Sequence, residues 1–272
     1  MEDSKETIMA ELYDKLSSEF YDYHSKRGDI DFFTGYALES GGPVLELGCG
    51  TGRVLIPTAR AGINITGLDL SAEMLKLCRK KLDAEPASVK NRAKLVQADM
   101  RRFNLHHRFS LVTITFGPFN NLLNVQDQLD CLACIHQHLN PGGRLVFDVY
   151  FASPAELSIK EETSIVADQP PFLMPDGRSV TWGLRFHDVD YQNQIIHEEL
   201  LYDICYPDGR KERLVYHSPL RFFFRFEVEH LLARVGFTVE NVYADFNKAP
   251  FCSRPPEELI FVARKETTDD HH

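Results

Sequence analysis

VLELGCGTGR, residues 44–53, decides the fold. The apolar run VLEL reads as a buried strand. Gly48-Cys49-Gly50-Thr51-Gly52 reads as a sharp loop, and RVLIPTARA (53–61) carries apolar residues three and four apart, as a helix does. Glycines in such a loop let the backbone turn tightly and approach a ligand, and the following helix presents N–H groups to an anion. A glycine-rich loop alone is weak, and its weight comes from what surrounds it.

Outward from this stretch the same rhythm repeats. Short apolar runs at ITGLD (65–69), KLVQAD (94–99), FSLVTITF (109–116) and GRLVFDV (143–149) alternate with helical patterns in AEMLKLCRKKLDA and DQLDCLACIHQHL. Strand, helix, strand in series implies right-handed crossovers and a parallel sheet covered on both faces. Leu139-Asn140-Pro141-Gly142-Gly143 ends the last of these helices and turns into the fifth strand. The second strand ends in Asp69, 17 residues after Gly52, where a mononucleotide half-fold places the acid that binds ribose hydroxyls; capping the next helix, close to Ser71, is the alternative role. The third ends in Asp99-Met100. These tips share the carboxyl edge of the sheet, where open α/β folds bind ligands.

The nicotinamide fingerprint G-x-G-x-x-G would need a third glycine at position 53, which is Arg53. The glycines sit instead at 48, 50 and 52, preceded by Glu46. An acid there opposes a diphosphate and suits a ligand with an ammonium, so a nucleoside carrying an amino-acid tail fits better than a dinucleotide.

VLELGCGTGR, GLDLSAEML, QADM and LNPGGRLVFDV, in this order and at these spacings, resemble the class I S-adenosylmethionine-dependent methyltransferases. The resemblance covers 43–149, and GFTVE with ELIFVARK resembles that family's closing strands. It implies an α/β, Rossmann-like, mostly parallel seven-stranded sheet with helices on both faces, and S-adenosylmethionine as cofactor. The leader YDYHSKRGD and an insertion after the fifth strand resemble small-molecule members, glycine N-methyltransferase and aminosugar N,N-dimethyltransferases. Carried over by position, Glu46, Gly48, Cys49 and Gly50 would line the methionine moiety, and Asp69 the ribose. Leu70, Asp99 and Met100 would surround the adenine, with Asp99 accepting from its exocyclic amine. Phe116 would offer its carbonyl to the ammonium, and Tyr21 and Arg27 would reach the methionine carboxylate.

The implied organisation is an N-terminal helical lid (1–42), a core (43–150 and 219–266), an antiparallel insertion covering the substrate (151–218) and a tail (267–272). The leader from about Thr7 to Leu38 reads as helical and is rich in aromatics, with Tyr13, Phe20, Tyr21, Tyr23, Phe32, Phe33 and Tyr36 too numerous for a solvated segment. In the insertion, Val180, Trp182, Leu184 and Phe186 alternate with polar neighbours, the first of three antiparallel strands between Ser179 and His217. The stretch from Pro154 to Pro175 reads as a mobile connection. A helix from about Glu227, stopped by Gly236, and a hairpin of FTVENVYADF with ELIFVARK complete the core.

No general base stands out. His187, His217 and Asn120 are weak catalytic candidates, since strand histidines are usually solvated and Asn120 can equally serve a turn. FGPFNNLLN (116–124) lacks the [DN]-P-P-[YF] motif of enzymes that methylate nucleobase amines and planar amides. With 30 basic against 40 acidic residues the formal net charge is −10, which makes duplex nucleic acid and an anionic membrane poor partners. No apolar run nears the roughly 18 residues of a membrane span, and MEDSKETIMAELYDK lacks the features of a signal peptide. The expectation is a cytoplasmic monomer or homodimer. Cys131 and Cys134 form one C-x-x-C at helical spacing with no second ligand pair, so no metal is expected. The reading is N- or O-methylation of a small-molecule acceptor; the alternative is a catalytically inactive S-adenosylmethionine-binding regulatory or scaffold protein.

Overall fold

A computed structural model describes residues 18–23, 27–153, 156–158, 163–166, 170–251 and 258–266. The chain divides into two compact units, Met1–Phe151 with Phe223–His272, and Ala152–Phe222. The second unit ends four residues beyond the expected boundary, because its last strand continues past His217 to Arg221.

In the first unit, strands β1 (Val44–Leu47), β2 (Ile65–Asp69), β3 (Ala93–Gln97), β4 (Phe109–Ile114) and β5 (Leu139–Val149) run parallel; β12 (Leu259–Lys265) pairs antiparallel with β5, and β11 (Phe237–Tyr243), antiparallel to β12, runs with the other five. The strand order is β3-β2-β1-β4-β5-β12-β11. Both faces are buried, and alternation along the strands sorts the side chains. Leu45, Leu47, Val112, Ile114, Phe147 and Phe261 enter one apolar cluster, while Val44, Leu111, Val146, Ile260 and Val262 enter the other. Helix α1 (Ile30–Ser40) covers the second face through Phe32, Phe33, Tyr36 and Ala37, alongside α2 (Leu55–Arg60) and α3 (Ala72–Asp83). A single helical turn, α4 (Ala87–Lys90), precedes β3. Helices α5 (Val125–His138) and α6 (Arg225–Arg234) cover the first face.

Three elements of this unit differ from their sequence reading. The leader is helical at 18–23 and again in α1 but is interrupted at 27–29, where Gly28 stands; Tyr13 and the leader's start lie outside the described residues. The turn at Leu139–Gly143 falls inside β5. Leu139 already pairs with Phe109, Gly142 takes φ 72°, and regular pairing resumes at Arg144 with Leu111. Buried Lys265 donates from Nζ to the carbonyls of His136 (2.6 Å) and Leu139 (3.0 Å), satisfying the end of α5. Helix α6 starts two residues early, at Arg225.

The second unit is an antiparallel sheet of β6 (Thr163–Val166), β7 (Phe172–Leu173), β8 (Ser179–Asp190), β9 (Ile195–Cys205) and β10 (Lys211–Arg221). Strands β8, β9 and β10 follow the expected meander. The stretch read as a connection supplies β6 and β7, both paired to β8; its residues 154–155, 159–162 and 167–169 lie outside the described ones. Among the described residues no helix is long and apolar enough to cross a membrane.

Gly67 lets α2 and the glycine loop pack onto the sheet. A Cβ there would lie 2.3 Å from Leu55 Cδ1 and 2.7 Å from Cys49 Sγ. Gly67→Ala is expected to lower stability by about 1–3 kcal/mol through overpacking. Urea unfolding checks this, and an unchanged midpoint would show that the two layers can separate freely.

Candidate functional site

The five parallel strands deliver their carboxyl ends to one edge. From β1 the loop leaves with Gly48 (φ 65°) and Gly50 (φ 52°) left-handed, a geometry that side-chain-bearing residues resist. A Cβ on Gly48 would meet Pro118 at 2.7 Å, and Met100 Cε lies 3.9 Å from the same point. Among the described residues, a Cβ on Gly50 would meet only the Tyr21 ring edge, at 4.0 Å. Tyr21 and Met100 therefore come to the loop from segments about 80 residues apart. Cys49 is buried under the loop with its thiol pushed well up by burial, so it acts there as a small neutral side chain.

Asp69 fixes the loop. Its Oδ2 accepts from the Gly50 N–H (2.7 Å) and its Oδ1 from the Ser71 N–H (2.9 Å). Capping of α3 falls to Ser71, whose Oγ accepts from the Met74 N–H at 2.9 Å. Leu70, between them, is 68% exposed, its side chain projecting from the tip of β2. At the next tip Asp99 is engaged by Arg101, which holds its carboxyl below the usual range through their hydrogen bonds.

Glu46 is buried. Its Oε1 accepts from Thr115 Oγ1 at 3.2 Å, and its Oε2 has no partner among the described residues. Burial pushes its carboxyl up to about 8, with Thr115 and Arg53 opposing the shift and Asp29 and Asp69 adding to it. A buried carboxyl oxygen without a partner, two residues before a tight glycine loop, fits a ligand that brings a cation.

The turn after β4 is held by charge. Phe116 and Gly117 both adopt φ 71°, and the Phe116 N–H donates to Asp148 Oδ1 at 2.9 Å. Asp148, buried near the end of β5, accepts at its other oxygen from Arg27 Nη1 (2.9 Å), while Arg27 Nη2 pairs with Glu258. Arg27 lies 5.0 Å from the Phe116 ring centroid, Arg53 lies 5.2 Å from it, and Tyr21 meets it edge-on at 5.9 Å. Arg53 in turn forks onto fully buried Asp29, with Nη2 to Oδ2 at 2.7 Å. The sequence reading used Arg53 only to exclude a dinucleotide and missed Asp29, Asp148 and Thr115. Their signal was position: Asp148 nearly ends a strand, and Arg53 directly follows the loop.

The catalytic candidates each have partners within their own unit. Asn120 is buried, and its Oδ1 accepts from the Tyr150 N–H at 3.0 Å, so it braces the turn at 118–121 against the end of β5. His187 Nε2 and His217 Nδ1 each lie 3.1 Å from Glu199, which also accepts from Arg185 Nη1 at 3.1 Å. Cross-strand register on β8, β9 and β10 groups them, since Glu199 stands opposite both Arg185 and His217. Cys131 and Cys134 are buried on α5, and Cys134 Sγ contacts the Phe103 carbonyl at 3.3 Å.

Burial of Glu46 has a sign. Between its ordinary 4.5 and about 8, the folded protein keeps a proton that the unfolded chain releases, so stability falls as pH rises through that window, by up to about 1.4 kcal/mol per pH unit. Glu46→Gln is expected to remove this slope in the ligand-free protein. Urea unfolding of both proteins from pH 5 to 8 tests it; parallel curves would mean that Glu46 ionises without penalty.

Residues 44–143 match the family model of a methyltransferase domain. The dTDP-3-amino-3,6-dideoxy-alpha-D-glucopyranose N,N-dimethyltransferase of Streptomyces fradiae is 32% identical over 145 residues, 53% of either chain. The CcbJ methyltransferase of Streptomyces caelestis superposes with a TM-score of 0.73 at 24% identity, over 94% of this chain and 98% of that one. The glycopeptide N-methyltransferase MtfA, complexed with S-adenosyl-L-homocysteine, superposes with a TM-score of 0.56 at 25% identity, over 89% and 91%. Glycine loop, strand order and these likenesses agree: residues 44–143 form a methyltransferase domain, the chain is similar to the class I S-adenosylmethionine-dependent methyltransferases, and S-adenosylmethionine is the cofactor these likenesses support.

Proposed function

We propose that the protein methylates an amine nitrogen of a small-molecule acceptor such as an amino sugar. The observation that carries this reading is the likeness to an aminosugar N,N-dimethyltransferase, joined by that to a glycopeptide N-methyltransferase. Bound S-adenosylmethionine supplies an electrophilic methyl on a sulfonium. An amine needs only to be neutral to attack it, whereas a hydroxyl needs a base to take its proton. Alignment at near-attack distance and exclusion of water then account for much of the rate.

The chain's own residues divide the work. Asp69 holds the ribose hydroxyls while its hydrogen bonds to Gly50 and Ser71 keep it aimed. Leu70 and Met100 cover the adenine, and Asp99 takes its exocyclic amine. Gly48, Cys49 and Gly50 give the methionine moiety close approach to backbone. Glu46 and the Phe116 carbonyl receive the ammonium, and Asp148 fixes Phe116 for that role. Tyr21 stands over Gly50, and Arg27, anchored by Asp148 and Glu258, ties the leader to the strand tips. Buried free thiols at Cys49, Cys78, Cys131 and Cys134 suit a reducing, cytoplasmic setting.

Release of S-adenosylhomocysteine on mixing the protein with S-adenosylmethionine and matched pairs of amino sugars and their hydroxyl counterparts tests the reading. Turnover of the amines is expected; turnover confined to the hydroxyl compounds would overturn it, and none with either would revive the inactive alternative. Asp69→Ala is expected to weaken cofactor binding by about 1.5–3 kcal/mol by calorimetry, through loss of charge-assisted hydrogen bonds. Unchanged affinity would place the ribose elsewhere.

A further inference from the structure

Asp99 is held more completely than any recognition role alone requires. Its Oδ1 accepts from the Arg101 backbone N–H (2.9 Å) and from Arg101 Nε (3.0 Å). Its Oδ2 accepts from Arg101 Nη2 (2.7 Å) and shares the same Nε (3.0 Å). The fork continues outward, with Arg101 Nη1 donating to Asp127 Oδ2 at 3.0 Å. Asp127 lies in the first turn of α5, where Asn124 caps it: Asn124 Oδ1 accepts from the Asp127 N–H (2.9 Å), and Asn124 Nδ2 donates to Asp127 Oδ2 (3.0 Å). One guanidinium thus ties the tip of β3 to the start of α5.

A carboxylate offers about four lone-pair sites and cannot donate. Three N–H protons, from the Arg101 backbone, Nε and Nη2, make four contacts with it, two at each oxygen, because Nε is shared between the two. The direction in which Asp99 presents its oxygens is therefore set, because the carboxylate cannot turn without breaking these bonds.

We infer that Arg101 is a positioning residue that makes the cofactor site specific for an exocyclic amine on the purine, by holding Asp99 as a rigid acceptor. The inference rests on the reading that Asp99 meets the adenine amine. A purine with a carbonyl oxygen in place of that amine would set oxygen against fixed carboxylate oxygen. A carboxylate able to rotate would escape that clash, so discrimination depends on Arg101 as well as on Asp99. Lysine would restore the charge without the planar fork.

The experiment is calorimetric binding of S-adenosylhomocysteine and S-inosylhomocysteine to the wild-type protein, Arg101→Ala, Arg101→Lys and Asp99→Ala. The readout is the ratio of the inosyl to the adenosyl Kd, which a general loss of stability does not move. The wild-type ratio is expected to be large, to collapse in Asp99→Ala, and to fall by about tenfold or more in Arg101→Ala, with Arg101→Lys nearer Ala than wild type. Collapse in Asp99→Ala with an unchanged ratio in Arg101→Ala would overturn the role of Arg101 while leaving Asp99 its own. No change in either variant would overturn the reading of Asp99 and the inference with it. Should Arg101→Ala fail to fold, Asp127→Asn, which loosens only the outer anchor, is expected to lower the ratio in the same direction, and an unchanged ratio there would count against the fork.

Discussion

Two hydrogen bonds to the Asp69 carboxylate hold the site together. One fixes the Gly50 N–H and the other the Ser71 N–H, so a single side chain on β2 sets both the loop that leaves β1 and the start of α3. The backbone supports it from the far side, where Ala98 N–H donates to the Asp69 carbonyl at 3.0 Å and places Asp99 one residue beyond. Three neighbouring strand tips are therefore in register with one another before any ligand arrives. Preorganisation of this kind matters because ordering a loop at the moment of binding consumes affinity.

The charges around Phe116 obey a second constraint. Asp29 and Asp148 are buried, and a buried carboxylate is tolerated only with a partner and further hydrogen bonds. Arg53 meets the first, and Arg27 with the Phe116 N–H meets the second. The acids recruit arginines from the leader and the loop, and the arginines flank the Phe116 ring. The same bonds hold a left-handed residue that lacks glycine's freedom, a conformation that persists only where its surroundings over-determine it.

Much of this was legible in sequence because it follows from periodicity and spacing. The alternation that sends Leu45 and Val44 to opposite apolar clusters is local, as is the interval from Gly52 to Asp69. What stayed hidden depends on long-range meeting of side chains. Nothing local to Asn120 says that its oxygen meets the Tyr150 N–H, and nothing in β8 or β10 says that His187 and His217 share Glu199. Asn140-Pro141-Gly142-Gly143 misled for another reason: its turn residues are real, but tertiary pairing of Leu139 with Phe109 carries the strand through them. Arg53 counts in the sequence against one ligand by its residue type, while its pairing with Asp29 and its place beside the Phe116 ring show only in the fold.

The charge pattern also bears on how such a site can favour transfer over mere binding. Methyl transfer removes the positive charge at sulfur, so carboxylates that stabilise the sulfonium in the ground state raise the barrier unless their effect persists in the transition state. In this protein the buried acids near Phe116 are matched by Arg27 and Arg53, and Glu46 is held neutral by burial in the ligand-free site. On the proposed binding, Glu46 is the acid whose ionisation a bound ammonium would draw out, at a group that does not react. An adjustable charge on the spectator end of the ligand would let the site recognise a cation without stabilising the charge that the reaction must erase.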